Sequence, residues 1–168
     1  DCAFGGETVE VEYTQEGDGT TSDRSLPVRV LTGAAAVSAR DNSTCALLTT
    51  GAVRCWGADM SATPSEPPSM SGLTATAVYA GSPACAVLSG RTVRCWGSNA
   101  PGASELAGFT SVARFDHTST AECAVRTDGT LYCADRTTAG RVITGITDAA
   151  DLTMNNRAVW VVRRGGSV

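Results

Sequence analysis

The sequence predicts an all-β array of four repeated units, and three observations carry that reading. The chain of 168 residues contains a segment that recurs almost unchanged, at Cys45 to Gly57 and Cys85 to Gly97, with a third copy from Cys123 to Ala134. A second element, apolar-Thr-x-x-Ala-x-apolar, precedes each copy at Leu31–Val37, Leu73–Tyr79 and Phe109–Phe115, and occurs a fourth time at Ile146–Leu152. Within each copy, short apolar stretches flank a turn containing Gly51, Gly90 or Asp128-Gly129, which is the pattern of a β-hairpin. Self-similarity at such a period marks stacked supersecondary units.

The repeats fall at about 27–68, 69–105, 106–142 and 143–168, the last joined to residues 1–15, within a single domain 1–168. Ala35, Ala77, Ala113 and Ala150 take equivalent places. In the first repeat, pairing Cys45 with Cys55 across the hairpin makes Leu47 face Val53 and places the two sulfurs at directly opposed strand positions; the same holds for Cys85 with Cys95 and Cys123 with Cys133. Directly opposed strand positions bring Cβ atoms roughly 4.5 to 5.5 Å apart, close enough for a disulfide after a small adjustment. Metal ligation is the rival reading of paired cysteines. It ordinarily uses shorter spacings and more histidine, whereas every spacing here is ten residues and His117 is the sole histidine. Each disulfide would contribute about 3 kcal/mol in the chain-entropy model.

In the fourth repeat Trp160 stands where a cysteine is expected, and Trp160–Val168 aligns with Cys123–Leu131. Reading from Val168 on into Asp1 gives Gly-Ser-Val-Asp-Cys-Ala, in register with Gly129 to Ala134. Asp1, Cys2, Ala3 and Phe4, with Trp160, Val162, Gly166 and Val168, therefore form an expected seam. It closes within one chain or between chains, unless the chain is a segment of a longer array. Residues 8–15 alternate apolar and polar and read as a strand, with Glu10 and Glu12 facing solvent; residues 16–26 read as a loop. Cys2 is left without a partner of its own class.

Composition narrows the function. Hydrophobic residues make up 42% with only three each of Trp, Tyr and Phe, so the core is built of small aliphatic side chains. The net charge is −4 and all 13 basic residues are Arg, which argues against nucleic acid, whose binders need a basic patch, and excludes Schiff-base chemistry on lysine. No apolar run is long enough for a membrane helix. Catalysis requires a convergent, tuned constellation, and none is legible; no catalytic residue, metal or cofactor is expected. His117 is assigned to a turn. Asn42-Ser43-Thr44 is a formal glycosylation sequon on a turn. Disulfides at this density belong in an oxidising compartment, and the start at Asp1 fits a removed signal segment.

The strand preceding Cys-Ala-Leu, followed by Gly-x-Val-x-Cys-Trp-Gly, resembles the regulator of chromosome condensation repeat in its secreted, cysteine-containing bacterial version. The resemblance covers about residues 27–168 plus 1–5. It implies a β-propeller of four-stranded blades, typically about seven, closed by a strand from the opposite terminus. The family's Gly-Gln-Leu-Gly stretch is absent, and four repeats are few. Trp56 and Trp96 recur in phase and are assigned to inter-blade packing. Two functions remain. One is a secreted or cell-surface structural protein that assembles with itself, head to tail, by strand complementation into a filament or array. The alternative is a closed four-bladed module, also secreted, that binds an unidentified protein.

Overall fold

Alternating side chains and glycine-bearing turns fold each repeat into a small antiparallel sheet. The first comprises β1 (Ala34–Arg40), β2 (Ser43–Leu48) and β3 (Val53–Gly57). The second comprises β4 (Ala75–Tyr79), β5 (Ala84–Leu88) and β6 (Val93–Trp96). The third has β7 (Val112–His117), β8 (Ala121–Arg126), β9 (Leu131–Asp135) and a two-residue β10 (Arg141–Val142). The fourth has β11 (Ala149–Met154) and β12 (Val159–Arg163). The computed structural model describes residues 17–20, 22, 25–57, 60–98, 100, 105–135 and 139–166. Asp1, Cys2, Ala3, Phe4, Val168 and the strand expected at 8–15 lie outside them. Together the four sheets form the expected propeller-like all-β array.

Register follows the cysteines. Cys45 pairs with Cys55, Cys85 with Cys95 and Cys123 with Cys133 across their hairpins, and all three pairs are disulfides with Cα atoms 4.0 to 4.2 Å apart. Each disulfide stays within one hairpin.

The same hairpins correct one alignment made from the sequence. A β-bulge interrupts the first strand of every sheet, between Ala34 and Ala36, Ala75 and Ala77, Val112 and Arg114, and Ala149 and Asp151. The residue equivalent to Ala35, Ala113 and Ala150 is therefore Thr76, not Ala77. In the second repeat the Leu-Thr pair sits one residue closer to its strand, which displaces the apparent sequence match by one. With the bulge as the fixed point, Val37, Val78, Phe115 and Leu152 are equivalent, each paired with the same position of the second strand.

The four-stranded blade implied by the resemblance is only partly built. The outermost strand shrinks to single bridges, Cys55 with Ser65 and Arg94 with Glu105, and to β10 in the third sheet. Pro64, Pro67 and Pro68 flank Ser65 and offer no ladder donors, which keeps that strand from lengthening.

Packing is between blades. The side chains of Cys45, Leu47, Val53 and Cys55 meet Ala75, Val78, Ala84, Ala86, Leu88 and Trp96 of the next blade. Cys85, Val87, Val93 and Cys95 meet Phe109, Val112, Phe115 and Ala124; Cys123, Val125 and Leu131 meet Ala149, Leu152 and Met154. Because side chains alternate along a strand, the cysteine-bearing face of each of the first three sheets points to the following blade. The disulfides are thus core atoms as well as cross-links. Removing Cys85–Cys95, which is buried between the second and third blades, through Cys85→Ser with Cys95→Ser is expected to lower the unfolding free energy by about 3 kcal/mol or more. Urea denaturation compared with the unsubstituted protein measures it.

Candidate assembly interface

Four blades stacked this way have three junctions and two ends. At the first end, β1 turns the face that would receive a preceding blade to solvent. Val37 is 62% exposed, whereas its equivalents Val78, Phe115 and Leu152 are buried. Ala34 and Ala39 are exposed too, although Ala75, Val112 and Ala149, and Ala80, His117 and Met154, are buried in their places. At the other end, β12 turns out the face that would meet a following blade. Trp160 is 45% and Val162 39% exposed, where Cys45, Cys85 and Cys123, and Leu47, Val87 and Val125, are buried.

The register assigns these equivalences without ambiguity. Trp160 pairs with Thr153 as Cys123 pairs with Asp116, and Val162 with Asp151 as Val125 with Arg114. The turn after β12 also repeats its predecessors: the Gly166 amide donates to the Arg163 carbonyl (2.8 Å), as Gly51 does to Leu48 and Gly129 to Arg126 (2.9 Å each). Gly51, Gly129 and Gly166 all have φ near +80°, a conformation that favours glycine. Blade four thus has two strands and the turn that would lead into a third, and β12 has no partner on its far side among the described residues.

A backbone bond marks each junction. The amides of Ala75, Val112 and Ala149 donate to the turn carbonyls of Gly51, Arg91 and Gly129 in the preceding blade, at 2.8, 2.9 and 3.0 Å. The corresponding fourth bond, from Ala34 to Gly166, is not made among the described residues.

Trp96 is buried in the junction between the first two blades. Among the described residues no blade stands before Trp56, and Gly17 lies against it, where an added Cβ would come within 2.7 Å of the indole Nε1. The chain therefore reaches blade one from the side where a preceding blade would stand. Asn42 is exposed on the turn between β1 and β2.

A polar tie along the axis fixes how the four blades stand to one another. Asp116, at the end of β7, accepts from the Arg40 guanidinium (3.2 Å), the His117 amide (2.8 Å), the Met154 amide (2.9 Å) and the Thr153 hydroxyl (3.3 Å). Arg40 also donates to the His117 carbonyl. An added Cβ on Gly81 would come 3.2 Å from Arg40 Cδ and 3.3 Å from His117 Cε1, so all four blades contribute to this junction. Charge-assisted bonds to a largely buried carboxylate are the strong kind. Neither Arg40 nor Asp116 was singled out from the sequence, because they lie 76 residues apart and outside the repeated cysteine motif.

His117 is not on a turn: it is the last residue of β7 and 1% exposed. Among the described residues no group of three His, Cys, Asp or Glu side chains is placed to hold a metal, and no helix is long and apolar enough to cross a membrane.

The strand order, the blade stacking and the inter-blade cores define a β-propeller repeat fold of the regulator of chromosome condensation type. No protein-family model matches the sequence, and no curated protein matches it. Among solved structures, human WBSCR16 is similar at 16% identity over 69% of this chain and 36% of its own, with a TM-score of 0.56. Yeast RCC1 (Prp20), solved bound to Kap60, is similar at 13% identity over 77% of this chain and 41% of its own, with a TM-score of 0.59. The computationally designed Ika4 protein is similar at 13% identity over 78% of this chain and 85% of its own, with a TM-score of 0.53. This chain spans less than half the length of either natural protein.

Burial, and then the nearby Arg40 cation, push the His117 pKa below its ordinary value of 6.5. The unfolded chain takes up a proton near that value while the buried ring refuses it, so the unfolded state binds more protons and stability rises with pH there. Stability is expected to be full above about pH 6.5 and to fall as the pH drops through it. Urea titrations between pH 8 and pH 5 test this: His117→Gln should flatten the slope, whatever it does to stability at pH 8.

Proposed function

We propose that the protein is a non-enzymatic, extracellular structural subunit that assembles head to tail with other copies of itself. Residues Asp1, Cys2, Ala3 and Phe4 of one copy supply the strand that follows the Gly166 turn in another, so that Val168 and Asp1 fall in register with Leu131 and Tyr132, and Cys2 lies opposite Trp160. The observation that carries the reading is the paired exposure at the two ends, Val37 at one and Trp160 and Val162 at the other, at positions buried at every internal junction. Contiguous apolar faces of this kind mark interaction sites, and a contact between two different faces generates rings or filaments. Three disulfides support an oxidising, extracellular setting.

A second reading, a secreted module that binds a different protein, draws support from yeast RCC1 (Prp20) having been solved in complex with Kap60. The size of the native, unreduced particle separates the two. Light scattering on a sizing column, followed by negative-stain imaging, is expected to find rings or filaments built from whole subunits. Deleting residues 1–5 should reduce them to single chains that keep their β-sheet circular dichroism. A uniform 17.2 kDa particle for the intact chain would overturn the assembly reading in favour of the binding module.

A further inference from the structure

The exposed β1 face and the exposed β12 face are the two halves of one blade junction. We propose that β12 of one copy docks face to face on β1 of a second copy, in the register of the three junctions inside the chain. This rests on the self-assembly reading and adds its contact surface: the terminal strand alone would join two copies by edge pairing, without burying either face.

The three internal junctions provide the template. In each, two side chains from the second strand of one blade press on two or three from the first strand of the next. Cys45 and Leu47 meet Ala75, Val78 and Ala80. Cys85 and Val87 meet the Val112 and Phe115 positions, and Cys123 and Val125 meet Ala149, Leu152 and Met154. At the ends, the matching donors are Trp160 and Val162, and the matching acceptors are Ala34, Val37 and Ala39.

The acceptors match a set already used inside the chain. Blade one offers two alanines and a valine, the same side chains at the same register positions as Ala75, Val78 and Ala80 of blade two, which receive Cys45 and Leu47. Blade four places the larger Trp160 where the others place a cysteine, so the contact would remove more apolar surface from water than the internal junction it copies. Docking in this register would also bring the Ala34 amide to the Gly166 carbonyl, the one inter-blade bond of its kind missing from the described chain.

The occupant is a second copy because one chain exposes both faces at once. The Asp116 carboxylate binds Arg40 from blade one and the Met154 amide from blade four, which sets the first and last blades about a common axis, and in that arrangement Val37 and Trp160 both remain open to solvent.

A cross-linking experiment on the full chain tests the contact. In a Cys2→Ser background, one variant carries Val37→Cys and another Val162→Cys; each is purified, and the two are mixed and mildly oxidised. The expected result is a covalent two-chain product on non-reducing gels that forms at least tenfold faster in the mixture than in either variant alone. Val37→Asp in the unsubstituted protein should raise the concentration needed for half-maximal assembly at least tenfold, read by sedimentation. Absence of the mixed product overturns the proposed contact. Sedimentation of the unsubstituted protein then separates the two failures: assemblies leave strand complementation standing without face docking, and single chains remove both.

Discussion

Everything in this fold depends on the two-residue alternation of a β-strand. Because neighbouring side chains point to opposite sides, each of the first three sheets has a cysteine-bearing face and an alanine-rich face, and both are largely apolar. A blade of three short strands cannot cover both. Its stability therefore comes from its neighbours, each junction burying several aliphatic or aromatic side chains at roughly 1.5 to 3 kcal/mol apiece. Small residues such as Ala84, Ala86 and Ala124, all fully buried, let the sheets approach closely enough for the turn carbonyl of one blade to accept from the first strand of the next. An array obeying this rule is satisfied everywhere except at its ends.

The axial tie adds what stacking lacks. Face-to-face packing of small side chains resists separation but constrains the angle between blades only weakly. Asp116 gathers a guanidinium from blade one and donors from blade four onto a single carboxylate, and so links blades that share no core cluster. On the opposite face of β7, Tyr79 meets Phe115 edge-on at 5.3 Å and Phe109 meets it at 5.7 Å, so the strand that carries Asp116 is itself held by aromatic packing. The curvature of the array is therefore set at its centre, by hydrogen bonds, while its cohesion is set by the blade faces.

Much of this was legible in the sequence. The hairpins, the pairing of each cysteine with the one ten residues on, and the alignment of Trp160 with Cys123 all follow from local pattern, because turn chemistry and alternation act over a few residues. The slip that put Ala77 in place of Thr76 arose where the pattern is degenerate: two small residues beside a bulge look alike in either register, and only the pairing partner decides. The shortened outer strands escaped because proline effects on an edge depend on which neighbour the edge has. Arg40, Asp116 and the burial of His117 were out of reach, since no local signal announces that strand ends distant in sequence converge on one axis. The exposed faces lay between these cases. Val37 looks like every other core valine of the array, and it becomes distinctive only through its 62% exposure, where its equivalents are buried.

The confinement of each disulfide to its own hairpin has an evolutionary side. A cross-link between distant repeats would tie the number of blades to one pattern of pairing, and gaining or losing a unit would leave cysteines stranded or mismatched. Here each of the first three blades brings both halves of its cross-link, close in sequence and able to join as soon as the hairpin forms. Whole blades can therefore be duplicated, deleted or exchanged between genes as self-sufficient parcels, and a lineage can change the length of the array without having to reinvent its oxidative folding.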